Sequence, residues 1–146
     1  MKRTNYIKAE FPSSSVNEAM ARSLAAVFAS RLDPTLEELG DIKTAVSEAV
    51  TNAIVHAYPD SIGRILLRCS VLEEDRLEIM VRDWGCGIEN VDKARQPLFT
   101  TGGEDRSGMG FTIMESFMDK VKIRSKPGGG TTVTMTRRIP GRKREP

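Results

Sequence analysis

Three short clusters constrain this chain more than anything else in it. They are Ser47-Glu48-x-x-x-Asn52-x-x-x-His56-Ala57, Asp83-x-Gly85-x-Gly87 and Gly108-Met109-Gly110. Glu48 and Asn52 are four residues apart, so on a helix their side chains stack on one face. Asp83 ends an alternating apolar run and starts a glycine turn, and Gly108 and Gly110 open a further helical segment. Each cluster alone has an ordinary explanation: a decorated helix, an Asp-initiated turn, a flexible loop. In this order they describe one nucleotide pocket with a base, a metal ligand, an adenine reader and a phosphate cradle.

The chemistry follows residue by residue. The Asn52 amide oxygen is a hard donor of the kind Mg²⁺ accepts, with phosphates and water completing the octahedron. Glu48 is placed to take a proton from an attacking hydroxyl. Asp83 shares parity with Leu77, Ile79 and Val81, so it points to the buried face of its strand and needs a partner there. An adenine amino group is one such partner. Gly85 and Gly87 let the backbone approach a flat base. Gly108, Met109 and Gly110 offer free backbone N–H groups at a helix start, where phosphate binds readily, and Arg106 and Ser107 add a charge and a hydroxyl. Gly130-Thr131-Thr132 opens the last strand, and a threonine hydroxyl there can join the adenine network. His56 reads as a structural hydrogen bonder at a helix end.

Periodicity supplies the frame. Ile7, Ala9 and Phe11 alternate as a first strand, and Pro12-Ser13-Ser14-Ser15 offers an N-cap to a helix reaching about Leu32. A second helix runs from about Leu36 to His56, stopped by Pro59. Two alternating runs joined by Glu73-Glu74-Asp75 predict a hairpin. Residues 88–107 lack periodicity, and a loop this long is usually functional, here a lid. A short helix from Phe111 and two more strands complete the order β-α-α-β-β-lid-α-β-β. That order predicts an α/β two-layer sandwich: helices on one face of a mixed, mostly antiparallel sheet.

At 146 residues the chain holds one domain, expected over 1–137, with 138–146 a basic, disordered tail. No apolar run approaches the roughly 20 residues that span a bilayer, and the N-terminus lacks a secretory apolar region. Cys69 and Cys86 make neither a disulfide framework nor a metal motif. These features predict a cytoplasmic protein with no membrane contact. The net charge of +2 is concentrated at the basic end of the chain. Nucleic-acid binding calls for a basic stripe with interleaved aromatics. The linear sequence shows none, so no direct nucleic-acid contact is expected.

These residues resemble a known family. The Glu48/Asn52 helix resembles the N box of the GHKL ATPase/kinase superfamily, and Asp83-x-Gly85-x-Gly87 and Gly108-x-Gly110 its two G boxes. Glu48 to His56, Ala94 to Thr101 and Ser107 to Glu115 resemble the anti-sigma-factor serine kinases of sporulation. The resemblance implies a Bergerat ATP-binding fold with an ATP lid, ATP and Mg²⁺ as cofactors, and a homodimer. It further implies binding and inhibition of an RNA polymerase sigma factor, sigma F in the sporulation branch. The implied reaction is phosphorylation of a serine on an anti-anti-sigma antagonist. By resemblance, Glu48 is the base, Asn52 the Mg²⁺ ligand, Asp83 the adenine reader and Thr132 the adenine-side threonine. Thr100, Thr101, Arg106, Ser107, Gly108, Met109 and Gly110 belong to the lid and phosphate shell. Arg22 on the first helix falls in the region of dimer and sigma contacts. Gly102-Gly103 departs from the usual Lys-Pro after Thr-Thr.

Two other functions fit parts of the pattern. A nucleotide-gated sequestering module would use ATP only as a conformational ligand and would have no use for a base at Glu48. The ATPase domain of a histidine kinase would follow a helical hairpin with a phosphoacceptor histidine, which is not seen here.

Overall fold

The computed structural model describes residues 2–95 and 110–141. Strand β1 spans Arg3–Pro12, helix α1 Asn17–Ala29 and helix α2 Leu36–Asn52. The β2–β3 hairpin follows (Arg64–Leu72 and Arg76–Asp83), then a one-turn helix α3, Val91–Ala94. Helix α4, Gly110–Phe117, leads into β4, Lys120–Ser125, and β5, Thr131–Arg138. The five strands lie in the order β1-β2-β3-β5-β4, and all their pairings are antiparallel. The sheet expected to be mixed is therefore antiparallel throughout, because each neighbouring pair is a hairpin or a returning connection.

Period-2 alternation decides which face is buried. Ile65, Leu67 and Cys69 of β2, Leu77, Ile79 and Val81 of β3, and Val133 and Met135 of β5 turn inward. They meet the stripe Ile42, Ala45, Val46, Ala49 and Val50 of α2, with Ala21, Ala25 and Phe28 of α1 beside it. Each fully buried aliphatic of this size contributes about 1.5–3 kcal/mol. The small alanines let α2 lie close over the sheet, so its site-bearing face stays near the ends of β3 and β5. Among the described residues, no helix covers the sheet's other face.

Local chemistry explains the helix ends. Thr35 Oγ1 accepts from the Glu38 N–H at 3.0 Å, and Glu38 Oε1 accepts from the Thr35 N–H at 2.8 Å. This capping box starts α2. The serine run does not cap α1 as expected. Val16 is the N-cap and makes no side-chain cap bond, while Ser13 Oγ accepts from the Gly63 N–H at 2.9 Å. Helix α2 also ends earlier than expected. The α-helical ladder stops at Asn52, and Ala53–Ala57 form a π-helical turn. Such turns often mark functional sites.

The C-terminal boundary also needs correcting. Arg138 completes β5, Ile139 is fully buried, and the Ile139 N–H donates to the Asp75 carbonyl at 2.8 Å. Residues 138–141 are therefore part of the packed domain. Arg137 lies 2.9 Å from Asp41 of α2.

Candidate nucleotide-binding site

The end of β3, the π turn and the β4–β5 turn meet at a cavity of about 770 Å³. That is a size suited to a cofactor. Ala49, Ala53, Val81, Ile88, Phe111 and Val133 give it apolar walls, and Asn52 and Asp83 place polar groups among them.

Asp83 is buried, 6% exposed. Its Oδ1 accepts from the Gly85 N–H at 3.0 Å and the Thr131 N–H at 3.1 Å. Burial raises its pKa above the ordinary 3.8, and these two backbone bonds oppose the rise. Both bonds use Oδ1, so among the described residues Oδ2 remains an open acceptor. A buried open acceptor at a cavity wall suits a ligand amino group.

The glycine turn after Asp83 is locked from two sides. Cys86 donates its N–H to the Ala57 carbonyl at 3.1 Å, and its thiol to the His56 carbonyl at 3.1 Å. The Gly128 N–H donates to the Cys86 carbonyl at 2.7 Å, and the Gly130 N–H to the Gly85 carbonyl at 3.1 Å. Gly85 is required by space, since a Cβ there would collide with the Ala57 carbonyl oxygen. Gly87 is required by conformation, with φ at +78°. Tyr58 braces the same corner. Its hydroxyl accepts from the Trp84 N–H at 2.7 Å and donates to the Arg64 carbonyl at 2.8 Å.

Asn52 and Glu48 sit one helical turn apart, and Gly110 packs against both. A Cβ on Gly110 would lie 3.3 Å from the Asn52 amide atoms and 3.5 Å from Glu48 Oε1. The glycine at the start of α4 thus lets that helix approach the carboxylate and the amide. Asn52 lines the cavity, and its amide forms no hydrogen bond with the described residues. No cluster of three or more metal-ligating side chains exists among the described residues. The Asn52 amide oxygen fits Mg²⁺, which takes few protein ligands when phosphates and water supply the rest.

Of the expected site residues, the structure brings together Glu48, Asn52, Asp83, Gly85, Gly87 and Gly110. Thr132 is not with them. It pairs with Arg82 and Arg124 on the uncovered face of the sheet, whereas Thr131 pairs with Asp83 and lines the cavity. The parity of β5 decides this, since Val133 and Met135 turn inward and Thr131 must follow them. Thr100, Thr101, Arg106, Ser107, Gly108 and Met109 lie outside the described residues. Sequence reading left Thr131 and Thr132 open and missed Tyr58 and the α3 wall, where Asn90 Oδ1 accepts from the Lys93 N–H at 3.0 Å. Asn90 with Asp92 in the following turn was an available N-cap signal.

The chain belongs to the histidine kinase-like ATPase domain family, whose sequence model matches residues 11–137. Within that class it is similar, over almost its whole length, to proteins named anti-sigma F factor. The one from Caldanaerobacter subterraneus subsp. tengcongensis is 54% identical over 99% of this chain and 100% of its own. The one from Clostridium acetobutylicum is 51% identical over 92% and 94%. The solved RsbU and RsbW domains of a Mycobacterium tuberculosis protein superpose with a TM-score of 0.68 at 20% identity. That match covers 93% of this chain and 33% of the other. The mycobacterial sensor histidine kinase MprB gives 0.58 at 14% identity, over 90% and 99%. These two likenesses speak for the fold. Among the described residues, no helix is long and apolar enough to cross a membrane.

Proposed function

We propose that this chain is an anti-sigma factor, binding a sigma factor of the sigma F type, and a protein-serine kinase acting on the antagonist that releases it. The observation that carries the reading is the convergence of Glu48, Asn52 and Gly110 beside a cavity walled by Asp83. Relatives at 51–54% identity named anti-sigma F factor support the sigma-binding half.

In this reading Asp83 Oδ2 accepts from the adenine amino group, and the apolar walls hold the flat base. Asn52, with phosphate oxygens and water, would hold Mg²⁺. Mg-ATP, when bound, would supply the γ-phosphoryl group, with ADP as the leaving group. Glu48 takes the proton of the substrate serine hydroxyl as that oxygen attacks, and Gly110 keeps α4 close enough for the substrate to be oriented. A pure sequestering module would not need a carboxylate beside Asn52, which disfavours that alternative. Residues 88–107 are the proposed lid, Arg106, Ser107, Gly108, Met109 and Gly110 the proposed phosphate contacts, a homodimer the proposed assembly, and the cytoplasm the proposed location.

Nucleotide state then gates the partner. A ligand shifts a conformational equilibrium only by its differential affinity for the two states. Sigma factor binding should therefore be tighter with Mg-ATP than with Mg-ADP, as read by fluorescence anisotropy of a labelled sigma factor. Equal affinities would remove the gating. No binding in either state would remove the anti-sigma reading.

A further inference from the structure

The uncovered face of the sheet is strongly cationic, which the linear sequence conceals. Strand alternation sends Lys8 of β1, Arg64 and Arg68 of β2, and Arg76 and Arg82 of β3 to this side. The edge strand β4 adds Lys120, Lys122 and Arg124, all exposed. The register sets Arg82, Thr132 and Arg124 side by side across three strands, with Thr134 beside Lys122 in the next row.

Few carboxylates offset this charge. Glu78 lies 3.3 Å from Arg68 and 4.0 Å from Arg3, and Glu10 lies 3.7 Å from Arg64. Lys120, Lys122 and Arg124 have no ion-pair partner among the described residues. Acidic groups gather instead on the helical layer, as at Glu37, Glu38 and Asp41 of α2. Aromatic rings are interleaved with the cations. Trp84 lies between Arg64 and Arg82, 3.7 and 4.7 Å from its ring centroid, and the half-exposed Tyr6 lies under Arg3 and Lys8.

We propose that this face is a nucleic-acid-binding surface, centred on Arg82, Lys122 and Arg124, that contacts the phosphate backbone without reading sequence. Lysine is depleted in protein interfaces, and this face carries Lys8, Lys120 and Lys122 with few acids opposite them, whereas nucleic-acid interfaces are much more positive. Arginine, lysine and threonine side chains are the groups that contact phosphate oxygens. Among the described residues no element projects from this face of the sheet to enter a groove, so base readout has no vehicle there. The surface lies on the side of the sheet opposite the nucleotide cavity. It runs against the expectation of no direct nucleic-acid contact. That expectation counted charge along the chain, while alternation sorts it by face.

The test is fluorescence anisotropy with a labelled oligonucleotide of about 30 nucleotides, single-stranded and duplex, in two unrelated sequences. Binding should be detectable at low salt, equal for both sequences, and fall linearly on a log–log plot against salt. Lys122→Glu should weaken it about fivefold or more, while Lys43→Glu on α2, the same charge change, should alter it less than about twofold. Circular dichroism of both variants checks that they fold. Four results would overturn the proposal. These are no binding at low salt, equal weakening by Lys43→Glu, loss only on removing residues 142–146, or equally tight binding of polyglutamate. The third would assign the binding to the tail, and the last would indicate an acidic protein partner.

Discussion

Asp83 and Thr131 face each other across the β3–β5 ladder, and the Thr131 backbone N–H donates to Asp83 Oδ1 at 3.1 Å. With the Gly85 N–H on the same oxygen, this bond fixes the carboxylate at the cavity wall and leaves Oδ2 without a bond to the described residues. Asp83→Asn would put an amide where a full acceptor stood. The expected loss of ATP affinity is about 1–3 kcal/mol, roughly 5- to 150-fold, measured by calorimetry. Unchanged affinity would remove Asp83 from adenine recognition.

The same residue makes a pH prediction. Burial raises the Asp83 pKa, so between its ordinary value and the raised one the folded state binds more protons than the unfolded. Its contribution to stability is therefore greatest below the ordinary pKa and declines as pH rises through the folded one. Urea unfolding of wild type and Asp83→Asn at about pH 4 and about pH 7 should show the variant gaining relative to wild type at the higher pH.

Gly85 faces the Ala57 carbonyl with no room for a side chain. Gly85→Ala should lower stability by about 1–3 kcal/mol through forced separation of the glycine turn and the π turn. ATP affinity should fall with it. A variant as stable as wild type would mean that this corner relaxes freely.

The two thiols should behave differently. Cys69 is fully buried, and desolvation pushes its pKa up to about 12, so it should resist alkylation. Cys86 is exposed and lines the cavity. Iodoacetamide should label Cys86, read by peptide mass spectrometry, and saturating ATP should slow that labelling. Labelling that ignores ATP would place the nucleotide elsewhere.

The element order was legible because strand alternation and helical spacing are local signals. The Glu48–Asn52 pair and the parity of Asp83 located one wall of the site for the same reason. What stayed hidden depends on partners distant in sequence. Thr131 and Thr132 are chemically equivalent neighbours, and only the pairing with Asp83 separates them. Tyr58 reads as one more aromatic before Pro59 until Trp84 and Arg64 converge on its hydroxyl. The serine run carried a cap signal, but Ser13 was taken by Gly63. The cationic face was invisible because its residues come from separate strands, interleaved with the apolar residues of the core.

The most direct test is transfer of labelled ATP γ-phosphate to a serine of the anti-anti-sigma partner, comparing wild type with Glu48→Ala. The account predicts transfer by wild type, a loss of about 10²–10⁴ in rate for the variant, and ATP affinity retained in both. Equal transfer by both forms, or none from wild type with ATP demonstrably bound, would contradict it.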